Sequence, residues 1–434
     1  MPMKTHIHPS DVHGLGRLSI AAVAGLTSLV EALHRTIGGA PGLVGSQPPG
    51  PTKGITGFVY RSVHGVVALV GNALDAILVQ IVPLLGELRS SPGREAVLAA
   101  LNGVLGDYLA ETGNPLAIAM RFRHDGQPLT LETKTLAEAI PHPTGKPLVM
   151  VHGLCTSDLQ WTTPTQRRDP AAAAEAGVTL PSLLARELGY TPVYLHYNSG
   201  RHISSNGREF ADLLETLVSH WPVPVQELAI VAHSMGGLVA RSACHYAAIA
   251  GHAWQRSLKT LVFLGTPHHG APLERGGNWI DLILAGSPYT APFSRLGKIR
   301  SAGITDLRYG NLLDEDWEGR DRFEPAGDRR RHIPLPKGVR CYATAATTGK
   351  RAGDLKDRLL GDGLVPVDSA LGRHSDPALR LALPASRLWV GYELNHMALF
   401  NHPAVNQRVR HWLAPRAMRK PSPAAAREPH SVMP

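Results

Sequence analysis

Two textures divide this chain. Up to about Pro115, apolar residues recur at helical spacing in two glycine-spotted runs, Leu18 to Ile37 and Ser62 to Leu88. Between them GGAPGLVGSQPPGPTKG reads as a linker from its glycine and proline content. The second run carries Val63, Val66, Val67, Val70, Leu74, Ile77, Leu78, Ile81, Val82 and Leu85 on one face, and mostly Gly, Ala and Asn on the other. Such a helix is expected to bury nearly all of its surface. It makes a poor membrane span, because Asp75 at a bilayer centre costs about 2.5 to 3.5 kcal/mol, and Pro83 and several glycines lie close by.

After Pro115 short apolar runs alternate with amphipathic ones. AMRFRH and QPLTL flank Asp125-Gly126, which predicts a hairpin, and KPLVMVHG is a buried strand ending in His-Gly. There follow a helix near Pro181 to Leu188, the strand TPVYLHYN, a helix from Ser204 to His220 and the strand ELAIVAHS. A helix to about Ala250, the strand TLVFLGTP, an irregular insert from Gly270 to about Lys337, the strands VRCYATAAT and RLWVGY, and a helix ending near Leu413 complete the order. Apolar strands alternating with helices predict a mostly parallel, doubly wound α/β sheet covered on both faces. The expected domains are an N-terminal apolar helical segment over 1–115, an α/β domain over 116–414, and a basic, Pro/Ala-rich, disordered tail over 415–434.

Composition changes this picture little. With 43% hydrophobic and 18% charged residues in 434, the chain is a globular protein with a sizeable core. Cys155, Cys244 and Cys341 lack disulfide-framework or metal-ligand spacing, which favours a reducing compartment and no metal. MPMKTHIHPSDVHGLGR is polar where a secretory core would begin, so a cytoplasmic location is expected. The net charge of +9 gathers in Arg329-Arg330-Arg331 and in the tail, outside any nucleic-acid motif, so no nucleic-acid partner is expected. Peripheral association with the anionic inner face of a membrane is compatible with that charge.

The chemistry is concentrated in VAHSMGGLVARSA. Ser234 stands where a buried strand meets a helix, with Ala232 two residues before it and Gly236 two after, so small neighbours permit the tight turn of a nucleophile elbow. Gly237 follows, and the helix N-terminus beyond offers N–H groups to a developing oxyanion. A serine here also fits a plain helix cap. A hydroxyl nucleophile needs a histidine base oriented by a carboxylate, in the order serine, acid, histidine. Asp362 in GDGLVPVDSA and His396 in ELNHMALF follow later strands and fit that order. Asp368 is the rival acid, and His268 and His269 are rival bases that precede the acid and better suit a pocket wall. The oxyanion donors are expected to be the N–H groups of Met235 and of Leu154, the latter in Val151-His152-Gly153-Leu154, where Gly153 lets the backbone approach. The His152 side chain reads as a buried, hydrogen-bonded structural group.

VHGL, HSMGGLVAR, LGTPHHGAPLE, GDGLVPVDSA and NHMALF together resemble the lipase and esterase branch of the α/β-hydrolases, in particular bacterial PGAP1-like (GPI inositol-deacylase-like) proteins and triacylglycerol lipases. The resemblance spans roughly Leu116 to Leu413. It implies an α/β-hydrolase fold, Ser234 as nucleophile, Asp362 as orienting acid, His396 as general base, the Leu154 and Met235 amides as oxyanion donors, and no cofactor. The implied activity is hydrolysis of lipid-like carboxylic esters. An acyltransferase using the same groups and a non-catalytic binding protein on this fold are the alternatives, and neither the oligomeric state nor the head group is specified. Two departures stand out: Cys155-Thr156 follows VHGL where many lipases have glycine, and residues 1–115 have no counterpart in minimal lipases. The apolar insert, with Trp279, Ile280, Leu282, Ile283, Leu284, Tyr289 and Phe293, suits a lid or acyl-binding wall.

Overall fold

The computed structural model describes residues 13, 14, 17, 92–162, 178–271, 300–321, 327–351 and 361–415. The two N-terminal apolar runs, the aromatic stretch of the insert and the tail beyond residue 415 lie outside the described residues. In chain order the elements are α1 (Pro92–Glu111), β1 (Arg121–His124), β2 (Gln127–Pro128), α2 (Thr133–Ala139), β3 (Pro147–Val151), α3 (Leu159–Thr162), α4 (Leu180–Leu188) and β4 (Thr191–His196). Then come α5 (Ile203–Ser219), β5 (Leu228–His233), α6 (Met235–Ala250), β6 (Leu258–Leu264), α7 (Ala302–Asp306), β7 (Arg340–Thr347), α8 (Val367–Ala370), β8 (Leu388–Tyr392) and α9 (Pro403–Leu413).

The strands form one sheet of eight in the order β2-β1-β4-β3-β5-β6-β7-β8. β3 to β8 run parallel, while β1 is antiparallel to both β4 and β2; the β1–β2 hairpin is joined through Asp125 and Gly126, both at positive φ (47° and 74°), as a two-residue hairpin of right-handed twist requires. This is the expected α/β-hydrolase architecture. Residues alternate faces along each strand. Leu148, Met150 and Val231 therefore pack with Leu180 and Leu184 of α4 and with Val405 and Val409 of α9. Val149, Val151, Ile230 and Phe263 join Phe210 and Leu214 of α5 and Leu238 of α6 in the opposite layer. Burial on both faces explains why the central strands read as continuous apolar runs.

Two compact units are distinguished: Met1–Glu95 with Leu109–Ala117, and Ala96–Tyr108 with Ile118–Pro434. In the first, Arg17 donates to the carbonyls of Thr112 and Gly113 at 2.6 and 2.8 Å, and the Asn114 amide donates to the Gly14 carbonyl at 3.1 Å. In the second, Ala100 and Val104 of α1 belong to the core layer of α5 and α6. Among the described residues no helix is long and apolar enough to cross a membrane.

Candidate active site

Parallel strands deliver their carboxyl ends to one edge of the sheet, and that edge is where such folds bind and react. Ser234 directly follows β5, Leu154 follows β3, and His396 follows β8. Asp362 lies downstream of β7 in a turn between Gly361 and Gly363, both at positive φ (53° and 98°).

Ser234 has φ 54° and ψ −127°, a conformation strained for any residue with a Cβ. Its amide donates to the Leu264 carbonyl at 2.8 Å, and its own carbonyl accepts from the Gly237 amide at 3.0 Å. It makes no side-chain capping bond to its helix, so the hydroxyl is not used as a cap. The glycines around it are sites of close approach. A Cβ on Gly153 would stand 2.9 Å from the Ser234 Cβ, one on Gly236 would stand 2.4 Å from the His152 carbonyl oxygen, and one on Gly237 would run into Thr266 at 2.0 Å. Bare backbone at Gly153 and Gly236 lets the end of β3 and the start of α6 meet.

His396 opens a short 3-10 turn, His396–Phe400, whose N-cap Asn395 accepts from the Ala398 amide at 2.9 Å. Its Nδ1 donates to Asp362 Oδ2 at 2.6 Å, with both groups buried. The other carboxylate oxygen, Oδ1, accepts from the Leu364 and Val365 amides at 3.0 and 2.9 Å, so each oxygen of Asp362 has a separate task. With Nδ1 holding its proton against a carboxylate, Nε2 of neutral His396 is the free base. That nitrogen is buried and has no hydrogen-bond partner among the described residues. Asp368, the rival acid, has a side chain 75% exposed, lies inside α8 and meets Arg373 at 3.4 Å. His268 and His269 are not joined to Asp362; they meet Arg241 and Arg330.

The loop after β3 is pinned on both sides of Leu154. Tyr197 donates its hydroxyl to the His152 carbonyl at 2.9 Å, and the two rings stack with centroids 4.4 Å apart. His152 Nδ1 donates to the Gly153 carbonyl at 2.8 Å, and burial pulls the His152 pKa down to about 4, so the imidazole is a neutral structural group. Thr156 Oγ1 closes the loop, accepting from the Gly153 amide at 3.0 Å. Cys155, which stands where many lipases have glycine, takes φ 56°; its amide donates to Ser199 Oγ at 3.2 Å and its thiol lies against Gly103 of α1. Burial pushes that thiol up to about 12, which keeps it protonated and unreactive. Neither the Leu154 nor the Met235 N–H has a partner among the described residues.

His233 is a positioning residue that the motifs did not single out. Its Nε2 donates to the His396 carbonyl at 3.1 Å, and burial, then the neighbouring His396, hold it well below the usual imidazole range. The only sequence signal for it is its place immediately before the serine. Gly265, after β6, lies against the His396 ring, where a Cβ would come within 3.3 Å of Nδ1. Among the described residues Ser234, Asp362 and His396 belong to no cluster of metal-type donors.

Residues 142–325 match the family described as the PGAP1-like alpha/beta domain, so the resemblance read from the motifs holds over that stretch. Solved structures similar to the chain include the mature lipase BlEst2 of Bacillus licheniformis, at 17% identity over 63% of this chain and 95% of that one, with a TM-score of 0.37. Lipase B of Aspergillus fumigatus matches at 12% identity over 66% of this chain and 58% of that one (TM-score 0.34). The esterase Pf2001 of Pyrococcus furiosus matches at 14% identity over 62% and 80%, respectively (TM-score 0.33). No curated protein matches the sequence.

Proposed function

We propose that this chain is a serine hydrolase that cleaves carboxylic esters of lipid-like substrates through an acyl-enzyme on Ser234. The observation that carries the reading is a strained serine at the β5–α6 elbow together with a histidine, on the same edge of the sheet, whose Nδ1 is held by a buried carboxylate at 2.6 Å. A helix cap does not account for the serine, whose hydroxyl makes no capping bond.

In the proposed sequence His396 Nε2 takes the proton from Ser234 Oγ as the oxygen attacks the ester carbonyl. The Leu154 and Met235 amides receive the charge on the tetrahedral oxygen, and Asp362 balances the imidazolium. Collapse breaks the bond to the leaving alkoxide, which takes the proton from His396. Water then attacks the acyl-enzyme with His396 again as base, releasing acid and regenerating the hydroxyl. The PGAP1-like match supports a lipid-like ester as substrate.

The test is labelling with a fluorophosphonate probe, peptide mapping of the adduct and turnover of p-nitrophenyl butyrate. The adduct is expected on Ser234, and Ser234→Ala is expected to lose both labelling and turnover while keeping its circular dichroism spectrum. Labelling elsewhere, or turnover in the folded variant within tenfold of the parent, overturns the proposal.

A further inference from the structure

Arg241 lies seven residues beyond Ser234 on α6, about 10 Å along the helix axis. It is 5% exposed, and nothing in the ester-cleaving sequence uses it. Nη2 donates to the Ile333 carbonyl at 2.6 Å, Nη1 approaches His268 Nδ1 at 3.4 Å, and Nε has no partner among the described residues. Among the described residues no carboxylate stands beside it; its charged neighbour there is a second guanidinium, Arg330, and burial together with that neighbour pulls the Arg241 pKa down to about 9. A buried charge without a counter-charge is strongly unfavourable, so one this isolated points to a charge supplied from outside.

The surroundings repeat the bias. Arg330 Nε meets Asp328 at 3.2 Å, while Nη1 donates to the carbonyls of His268, at 2.6 Å, and Tyr309, and Nη2 donates to His269 Nδ1 at 2.7 Å. Asp316, the other acid acting on Arg330, already accepts from the amides of Leu312, Leu313 and Arg331. Arg241, His268, His269, Arg330, Arg331 and His332 line one cleft, and its remaining walls are glycine and aliphatic residues with no carboxylate. His268 is fully buried and, with its neighbouring guanidiniums, held neutral. Since Nδ1 faces the Arg241 N–H as an acceptor, its proton sits on Nε2, which is also buried and unpartnered. The polar atoms of Arg241 and His268 left without partners are therefore both donors.

We propose that this cleft binds a phosphate group, free or carried by a larger molecule, with the Arg241 and Arg330 guanidiniums and the His268 Nε2–H as its donors. Guanidiniums match the tetrahedral oxyanion through paired, charge-assisted hydrogen bonds, and an anion there neutralises the charge that the protein leaves open. The binding itself stands apart from the ester-hydrolase reading, and only the assignment of its source rests on that reading.

The experiment titrates inorganic phosphate into the full-length protein at fixed low ionic strength, followed by calorimetry and thermal unfolding, with acetate at matched ionic strength as control. Saturable one-to-one binding that raises the unfolding temperature is expected from phosphate, and a much smaller response from acetate. Arg241→Met is expected to weaken binding by at least about tenfold. In phosphate-free buffer it is expected to unfold no earlier than the parent, since it removes an uncompensated buried charge. Arg330→Met provides a second variant with the same expected loss. Absence of saturable binding to the unaltered protein, an acetate response equal to that of phosphate, or undiminished affinity in the folded variants overturns the proposal. The source is read from hydrolysis of dihexanoyl phosphatidic acid and dihexanoylglycerol. Inorganic phosphate that raises KM for the first alone identifies a phosphorylated ester head group as the occupant, and binding without that competition identifies free phosphate.

Discussion

The two oxygens of Asp362 make Asp362→Asn an unusually informative perturbation. The asparagine is nearly isosteric, so what changes is the direction in which a carboxamide can point. Oδ1 is tied to two backbone donors, Leu364 and Val365, at 3.0 and 2.9 Å, and Oδ2 to His396 Nδ1 at 2.6 Å. Placing the amide oxygen on the two backbone donors turns the NH2 toward Nδ1, which then must accept, and the proton moves to Nε2, where the base should be. Reversing the amide restores the tautomer but leaves two buried N–H groups facing an NH2, at about 1 to 3 kcal/mol each. The productive state therefore lies about 2 to 6 kcal/mol up, and turnover is expected to fall by about 30-fold to 10⁴-fold, at tenfold per 1.4 kcal/mol. Initial rates on p-nitrophenyl butyrate and the rate of fluorophosphonate labelling both read this loss. Asp368→Asn, whose parent side chain is exposed and among the described residues meets only Arg373, is the control and is expected to stay within about twofold. A folded Asp362→Asn variant that keeps more than a tenth of the parent rate, or an Asp368→Asn variant that loses as much, refutes the reasoning.

Three further outcomes are expected. Because Ser234 sits at φ 54° and ψ −127°, Ser234→Gly is expected to be more stable in urea than Ser234→Ala by about 1 kcal/mol, and an alanine variant at least as stable as the glycine one contradicts the strain. In Gly236→Ala the new Cβ would stand 2.4 Å from the His152 carbonyl oxygen, so the elbow and the β3 loop must separate; a loss of about 1 to 3 kcal/mol in stability and about 10²-fold in turnover is expected, and parent-like rates would show that the approach is unimportant. His152 has a folded pKa of about 4, below its unfolded 6.5, so the unfolded chain holds the extra proton between those values; stability is complete above about pH 6.5 and falls by about 1.4 kcal/mol per pH unit down to about pH 4, with His196, His233 and His268 acting in the same direction. Urea unfolding at pH 7.5 and pH 5 measures it, and an unchanged or higher midpoint at pH 5 rules it out.

The parallel strands, the β1–β2 hairpin and the helices after β4 and β5 were legible because their signals are local. Continuous apolar runs, Asp-Gly at the turn and helical spacing on α5 act within a few residues of themselves. The same holds for the elbow: a serine with small residues two positions to either side announces a backbone that only a tight turn satisfies. Helix α1 was not legible. Its apolar residues follow no single stripe, and Gly103 becomes meaningful only where it meets the Cys155 thiol.

Elsewhere the chain's local pattern stops short. The Gly-rich turn around Asp362 favoured it over Asp368, which reads as a cap for the next short segment, yet it is the tertiary structure that buries one carboxylate against His396 and leaves the other 75% exposed on α8. It also turns His233 from a flanking residue into a support for the His396 backbone, and gathers Arg241, His268 and Arg330 from three separate segments into one cleft. Spacing encodes which side chains share a face of one element, because backbone geometry repeats locally. Desolvation, the pairing of charges and the choice of a histidine tautomer depend on atoms brought together across tens to hundreds of residues, and only the packed fold sets those distances.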